Sequence, residues 1–405
     1  MRPALARFSS VRPARVASCV SAQDVAAAIA DARGAGLPLA VRSGGHCFGG
    51  RSSTQGLVID VSPLDAIELG DGVVRVGAGA QLGAIYDALD AHGLTIAGGC
   101  GTTVGVSGLA LGGGLGILGR TYGLLADNVR AAEVVLADGS VVEADDDLLW
   151  GLRGAGGARF GVVTALEIAT VRVPVMTAFE TFWDDPAAAI AAWQAWAPDA
   201  PDALAASLLI TTPPLQVKVF GAFAGPIDEA RALVAALGRP AEAAFAEGNA
   251  RDAKRFLAGL GGAGEDDDDD GHAYLRSEFL AEPLSPAAIE ALVAHLDEGD
   301  FHRELDFSPW GGAYNRVAPD AAAFPHRDAR CLLKHAAVIA PGEDPGPARA
   351  WIDRAWEITH PHGTGGAYVN FPEDGLGLWA REYLGGNRER LLELKRRYDP
   401  EGVFG

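Results

Sequence analysis

The 405-residue chain carries 53 acidic against 33 basic side chains, a formal charge of −20. That excess argues against partners that present phosphate, both nucleic acid and anionic membrane surfaces. The length asks for two domains or one large composite domain, and 49% apolar with 21% charged residues is the composition of a folded protein. Cys19, Cys47, Cys100 and Cys331 form no CxxC pair and no disulfide-framework spacing, so no structural metal is expected. The arginines of residues 1–15 precede no apolar h-region, and no apolar run reaches transmembrane length. A cytoplasmic protein is the expectation.

In chain order, Ser21 caps an alanine-rich helix reaching about Ala35. Leu37–Val41 reads as a buried strand, and the chain then breaks into Arg42-Ser43-Gly44-Gly45-His46-Cys47-Phe48-Gly49-Gly50-Arg51-Ser52. Glycines there let the backbone take φ > 0 and approach a ligand. Successive N–H groups in such a turn form a concave anion site, which suits a pyrophosphate. His46, in its middle, has the chemistry of a nucleophile, a base or a ligand. A plain glycine turn around a hydrogen-bonded imidazole is the competing reading.

Strands follow at Gly56–Val61 and Val73–Val76. The Gly77-x-Gly79-x-x-x-Gly83 turn after them is one residue too long for a dinucleotide fingerprint and has no ribose-binding acid downstream, so nicotinamide binding is rejected. Gly98 to Gly116 is far too rich in glycine for a packed helix. Its remaining side chains are small or apolar, suited to lie against a flat ring system. Val129–Leu136 and Ser140–Ala144 flank Asp138-Gly139, the signature of a two-residue type I′ hairpin. A strand covers Phe160–Ile168.

From about Thr170 the texture changes. Asp185-Pro186 and Ser285-Pro286 open amphipathic helices. Strand-like runs lie at Leu208–Thr211, Gln216–Phe223 and Ala273–Leu280, which fits an antiparallel sheet with helices on one face. The six carboxylates Glu265–Asp270 read as a solvated loop rather than a calcium site. The last third is again rich in glycine and aromatics, and Asn387–Tyr398 is a basic amphipathic helix ended by Asp399-Pro400.

These stretches together resemble the berberine bridge enzyme-like flavoproteins of the vanillyl-alcohol oxidase superfamily. The R-S/G-G-G-H-x-x-x-G-x-S loop is matched by Arg42, Ser43, Gly44, Gly45, His46, Gly50 and Ser52. G-V-x-G-x-x-L-G-G-G-x-G is matched from Gly105 to Gly116, and G-L-x-x-D-N by Gly123, Leu124, Asp127 and Asn128. Phe160-Gly161-Val162-Val163-Thr164, Phe324-Pro325-His326-Arg327, Tyr368-x-Asn370 and the C-terminal helix complete the likeness, over roughly residues 15–170 and 308–405.

The resemblance implies an α+β fold: a two-part, PCMH-type FAD-binding domain made by both chain ends, and a central substrate domain with an antiparallel sheet and helices on one face. The boundaries expected are 1–170, 171–330 and 331–405. It also implies FAD bonded through His46, with Ser43, Gly44, Gly45 and His46 at the pyrophosphate. Gly105, Val106, Gly108 and Gly113 would line the flavin and ribityl chain, Val162 the adenine, and Arg42, Gly50, Ser52, Asn128, Gly161 and Asn370 count with the cofactor-binding set. Where some relatives attach flavin through a cysteine, this chain has Gly101, with Cys100 one position early. A single link is therefore expected.

Hydride moves to such a cofactor while a base takes the substrate proton. Tyr368 is the expected base, and Lys334 the cation that would lower its pKa. His335 should face the other side of the strand. His326 and Arg327 read as turn-tying residues. The function implied is a covalent FAD oxidase acting on an alcohol, a sugar hydroxyl or a secondary metabolite as small-molecule substrate, with O2 as acceptor. Val104, which in the family sits over the flavin where O2 arrives, resembles the oxidases. A dehydrogenase with another acceptor, a flavin-binding protein without turnover, and a flavin-initiated cyclase stay open. The sequence leaves the substrate and the oligomeric state unassigned.

Overall fold

Helix Ala22–Ala35 begins where the Ser21 hydroxyl accepts from the Asp24 N–H and ends at Gly36, whose φ is +64°. A hydroxyl before the first turn and a glycine after the last satisfy backbone groups the helix itself leaves open. In the computed structural model, which describes residues 1–258 and 271–405, this helix packs on a parallel sheet of β1 (Arg15–Ser18), β2 (Leu39–Arg42) and β3 (Leu57–Asp60), in the order β1-β3-β2. The acidic run Glu265–Asp270 lies outside the described residues.

A second, antiparallel sheet holds β4 (Ile67–Leu69), β5 (Val73–Gly77), β6 (Val129–Val135), β7 (Val141–Glu143) and β8 (Val162–Ala169), in the order β4-β5-β8-β6-β7. The β6–β7 connection departs from the expected type I′ turn. Gly139 N–H donates to the Leu136 carbonyl, and Gly139 (φ +85°) has a positive φ while Asp138 does not. The Asp138 carboxylate accepts from the Ser140 N–H and hydroxyl, which holds Asp138 in an ordinary turn conformation. The buried Ala137 methyl packs with the helix Ala22–Ala35 cluster, so the loop is one residue longer than the dipeptide suggested.

The largest sheet is antiparallel and seven-stranded: β9 (Met176–Trp183), β10 (Leu204–Thr212), β11 (Gln216–Phe223), β12 (Glu242–Gly248), β13 (His272–Leu280), β14 (His302–Pro309) and β15 (Cys331–Ile339), in the order β12-β9-β11-β10-β14-β15-β13. Helices Pro186–Trp196, Pro286–Leu296 and Gly346–Thr359 cover one face, where Ile190, Trp193, Leu292 and Trp351 pack on Leu305, Phe307 and Leu333. Asp185 and Ser285 cap the first two, with proline in the first turn. β15 sits between β14 and β13 and helix Gly346–Thr359 packs behind it, so both pack with this sheet although they lie beyond residue 330.

The other face carries a cross-strand row: Lys218, Leu209, Asp306, Lys334 and Ser277 stand opposite one another in register on β11, β10, β14, β15 and β13. Residues paired in register share a face. The chain's two ends meet over it: Ala367, Val369, Leu391 and Leu394 join Val74, Val106, Phe160 and Leu166 in one core. No helix among the described residues is long and apolar enough to cross a membrane.

Candidate active site

Arg42 is buried, and its guanidinium bonds the Ser52 carbonyl at 3.0 Å and the Ser53 hydroxyl at 2.8 Å. It thereby clasps both ends of the loop that carries His46. Gly50, at φ +66°, lets the loop turn where a Cβ would strike the Phe8 ring. The His46 Nε2 lies 3.0 Å from the Thr103 hydroxyl, which orients the imidazole. The backbone N–H groups of Ser43, Gly44 and Gly45 meet no acceptor among the described residues, and the Ser52 hydroxyl is buried without a partner. Three successive free donors, with Gly45 at φ +87°, are the makings of an anion nest.

The second glycine segment closes on the first. A Cβ on Gly44 would lie 2.3 Å from the Gly105 nitrogen, and one on Gly105 2.3 Å from the Ser43 hydroxyl oxygen. Ser43 and Ser107 both donate to the Ala78 carbonyl at 2.7 Å, so three turns converge on one point. The Gly77–Gly79 turn is explained by packing, since Cβ atoms there would strike the carbonyls of Leu64 and Val61. Gly108 differs: a Cβ on it would meet nothing within 4 Å. Val104 is half-buried, and a Cβ at position 101 would lie 2.9 Å from its Cγ2, so glycine there matches this valine. Cys100 packs beside Ala97, Leu118, Ala253 and Leu257. Lys254 reaches the neighbouring Gly98 carbonyl at 2.8 Å, its pKa brought down to about 8 by burial.

Tyr368 is 1% exposed, with its oxygen accepting from the Gly114 N–H at 2.8 Å and from the Asn370 amide at 3.1 Å. Asn370 also donates to the Leu109 carbonyl at 3.0 Å. The Asn370 oxygen lies where a Cβ of Gly112 would be, and the Tyr368 ring lies 3.2 Å from that of Gly113. Gly113 therefore faces the tyrosine. Burial raises the Tyr368 pKa, against the two hydrogen bonds that favour the phenolate.

Lys334 shares its face of the sheet with the Ser277 hydroxyl that holds Tyr368, whereas His335 points to the helix side, 3.2 Å from Glu278. Its role differs from the expected one. The ammonium pairs with Glu304 at 3.0 Å and Asp306 at 3.4 Å, and lies 5.1 Å from the centre of the Phe371 ring. The carboxylates take up its charge, and Tyr368 is shifted upward, not downward. Lys218 belongs to the same cluster: burial lowers its pKa while Glu180, Glu304 and Asp306 oppose the shift. Sequence reasoning missed Lys218, Glu304, Asp306 and Ser277. The signal was present in Arg303-Glu304-Leu305-Asp306-Phe307, where acids alternate with residues that pack into the core.

Other residues expected at the cofactor also carry structural work. Asn128 gives both amide protons to the carbonyls of Tyr122 and Leu124 and holds its own loop. Val106 donates its N–H to Ala80 and buries its side chain in the core. A Cβ on Gly161 would strike Val135, opposite which Val162 pairs in the sheet with its side chain buried. Arg327 forms a buried bidentate pair with Asp127 at 2.7 and 2.9 Å, and His326 stacks on Phe279, so both tie the fold together.

A nest of free donors beside a histidine, facing a glycine segment pressed by a buried tyrosine, is the architecture of a nucleotide-cofactor oxidoreductase. Residues 13–145 match the family described as FAD binding domain, and residues 367–405 the one described as Berberine and berberine like. The chain is 32% identical to an uncharacterized FAD-linked oxidoreductase, YgaK, of Bacillus subtilis (strain 168), over 97% of this chain and 90% of that protein. It is 29% identical to Berberine bridge enzyme-like 28 of Arabidopsis thaliana, over 98% of this chain and 85% of that protein. The solved structure of BBE-like 28 from Arabidopsis thaliana superposes with a TM-score of 0.90 at 26% identity, covering 99% of this chain and 93% of the other. The chain belongs to the berberine bridge enzyme-like family of FAD-linked oxidoreductases.

Proposed function

We propose that FAD binds between the two glycine loops, bonded to the protein through His46 alone, and that the enzyme oxidises the hydroxyl of an alcohol or a sugar with O2 as final acceptor, giving hydrogen peroxide. The free N–H groups of Ser43, Gly44 and Gly45 fit a pyrophosphate, and the open face at Gly108 fits a flat ring. Gly101 at the position where some relatives carry the attaching cysteine favours a single link. Bound FAD supplies the two-electron acceptor.

The chain's own part is to orient the substrate and move its proton. The observation that carries this reading is the Tyr368 phenol, buried at the glycine segment with two donors on its oxygen. Those donors stabilise the phenolate needed to take a proton from the substrate hydroxyl. Lys218, Glu304, Asp306 and Lys334 line the sheet face beneath as donors and acceptors for a hydroxylated substrate. The 171–359 region, which holds that face, is the substrate-binding unit of this proposal. The test is anaerobic bleaching of the visible absorbance by a panel of alcohols and sugars, followed by air and a peroxide assay. Bleaching that persists for minutes in air transfers the enzyme to the dehydrogenases. No bleaching by any hydroxylated compound overturns the substrate assignment.

A further inference from the structure

We infer that Ser277 is a positioning residue that fixes Tyr368 over the sheet; the inference rests on Tyr368 being the group that takes the substrate proton. Ser277 is 2% exposed on β13, paired in register with Lys334 on β15. Its hydroxyl accepts from the Tyr368 N–H at 3.0 Å and donates to the Phe371 carbonyl at 3.2 Å. Phe371 N–H in turn donates to the Tyr368 carbonyl at 2.9 Å. The four residues Tyr368–Phe371 thus form a closed turn, pinned at both ends by one side chain.

The path of the chain explains why one pin matters. After Thr359 it runs along the outer edge of β13, where Ala281 N–H bonds His362, Thr364 N–H bonds Phe279 and Phe279 N–H bonds Gly366. Beyond Gly366 that edge pairing ends, and Ala367 N–H turns to Glu382. Ser277 makes two hydrogen bonds that join the Tyr368–Phe371 turn to the seven-stranded sheet. The far end of the tyrosine meets Gly114, on the glycine segment. Ser277 therefore sets how far Tyr368 reaches across from the sheet, and it also seats Phe371, whose ring lies 5.2 Å from that of Tyr368 and 5.1 Å from the Lys334 ammonium. A hydroxyl both accepts and donates, which no alkyl side chain of the same size does.

Ser277→Thr and Ser277→Val are close to isosteric and differ at this point by the hydroxyl. The FAD-loaded variants are compared for substrate-driven anaerobic bleaching, alone and combined with Tyr368→Phe. Misplacing a reacting group by about 1 Å costs up to roughly 100-fold. Ser277→Val should slow the step about 10- to 100-fold at saturating substrate with KM little changed, Ser277→Thr should recover most of the rate, and Ser277→Val should slow the Tyr368→Phe enzyme no further. Equal loss in both backgrounds, or equal rates for the Thr and Val enzymes, overturns the inference. Hydrogen exchange separates its failure from that of the Tyr368 reading. If Tyr368→Phe keeps the parental rate, the proton-acceptor reading falls. Ser277→Val should still deprotect the Tyr368 amide, and retained protection overturns the positioning role as well.

Discussion

Tyr368 brings opposed influences to one oxygen: burial that favours the neutral phenol, and two donors that favour the anion. Burial prevails, so the deprotonated form gains only as pH rises above the ordinary tyrosine range, and the rate of substrate oxidation should climb through alkaline pH. Removing one donor with Asn370→Ala should move that limb to still higher pH, and Tyr368→Phe should slow the step by about 10²–10⁴-fold while FAD stays bound. Stopped-flow bleaching at several pH values measures both. Val104 belongs to the same scale. An isoleucine adds one methylene beside Gly101 in close-packed surroundings, so Val104→Ile should slow reaction with O2 and leave anaerobic oxidation of substrate nearly unchanged.

Among the elements, the contact of the two glycine loops is the least forgiving. Gly44→Ala places a Cβ against the Gly105 backbone, where no flexible side chain can yield. Overpacking of this kind costs about 1–3 kcal/mol, and the loops should part enough for the variant to purify with much less FAD, read from its absorbance ratio. Elsewhere His326 anchors its turn as a neutral imidazole, 3.1 Å from the Tyr383 carbonyl, its pKa pushed down to about 4 chiefly by burial. The folded pKa lies below the unfolded value near 6.5, so the unfolded chain binds the proton first. The stability this group contributes is complete above about pH 6.5 and is lost as pH falls to about 4, about 3 kcal/mol in all. Urea midpoints from pH 7 to 4 should fall more steeply for the parent than for His326→Phe; parallel curves would remove the role.

Over the whole molecule, what the sequence announced was local. Ser21, Asp185 and Ser285 name their helix starts within three residues, and the loop at Ser43–Ser52 identifies itself by glycine spacing. The α+β architecture and the meeting of the two chain ends were implied by the family resemblance that such motifs carry. Strand alternation put Lys334 and His335 on opposite faces, and the structure places Lys334 on the side of Ser277 and Tyr368. Its partners were not legible, because Glu304 and Asp306 reach it through sheet register, which one strand's sequence does not encode. The membership of β15 in the large sheet was hidden for the same reason. The structural work of Asn128, Val106 and Val162 was not legible either, because a motif marks a position as needed without saying what the fold asks of it.

The measurement that bears most directly on the account is acid precipitation of the purified protein, followed by mass spectrometry of its digest. A colourless supernatant, a yellow pellet and flavin mass on the peptide containing His46 are predicted, with the Cys100 peptide unmodified and His46→Ala releasing its flavin. Flavin set free from the parent protein, or carried by Cys100, would contradict it.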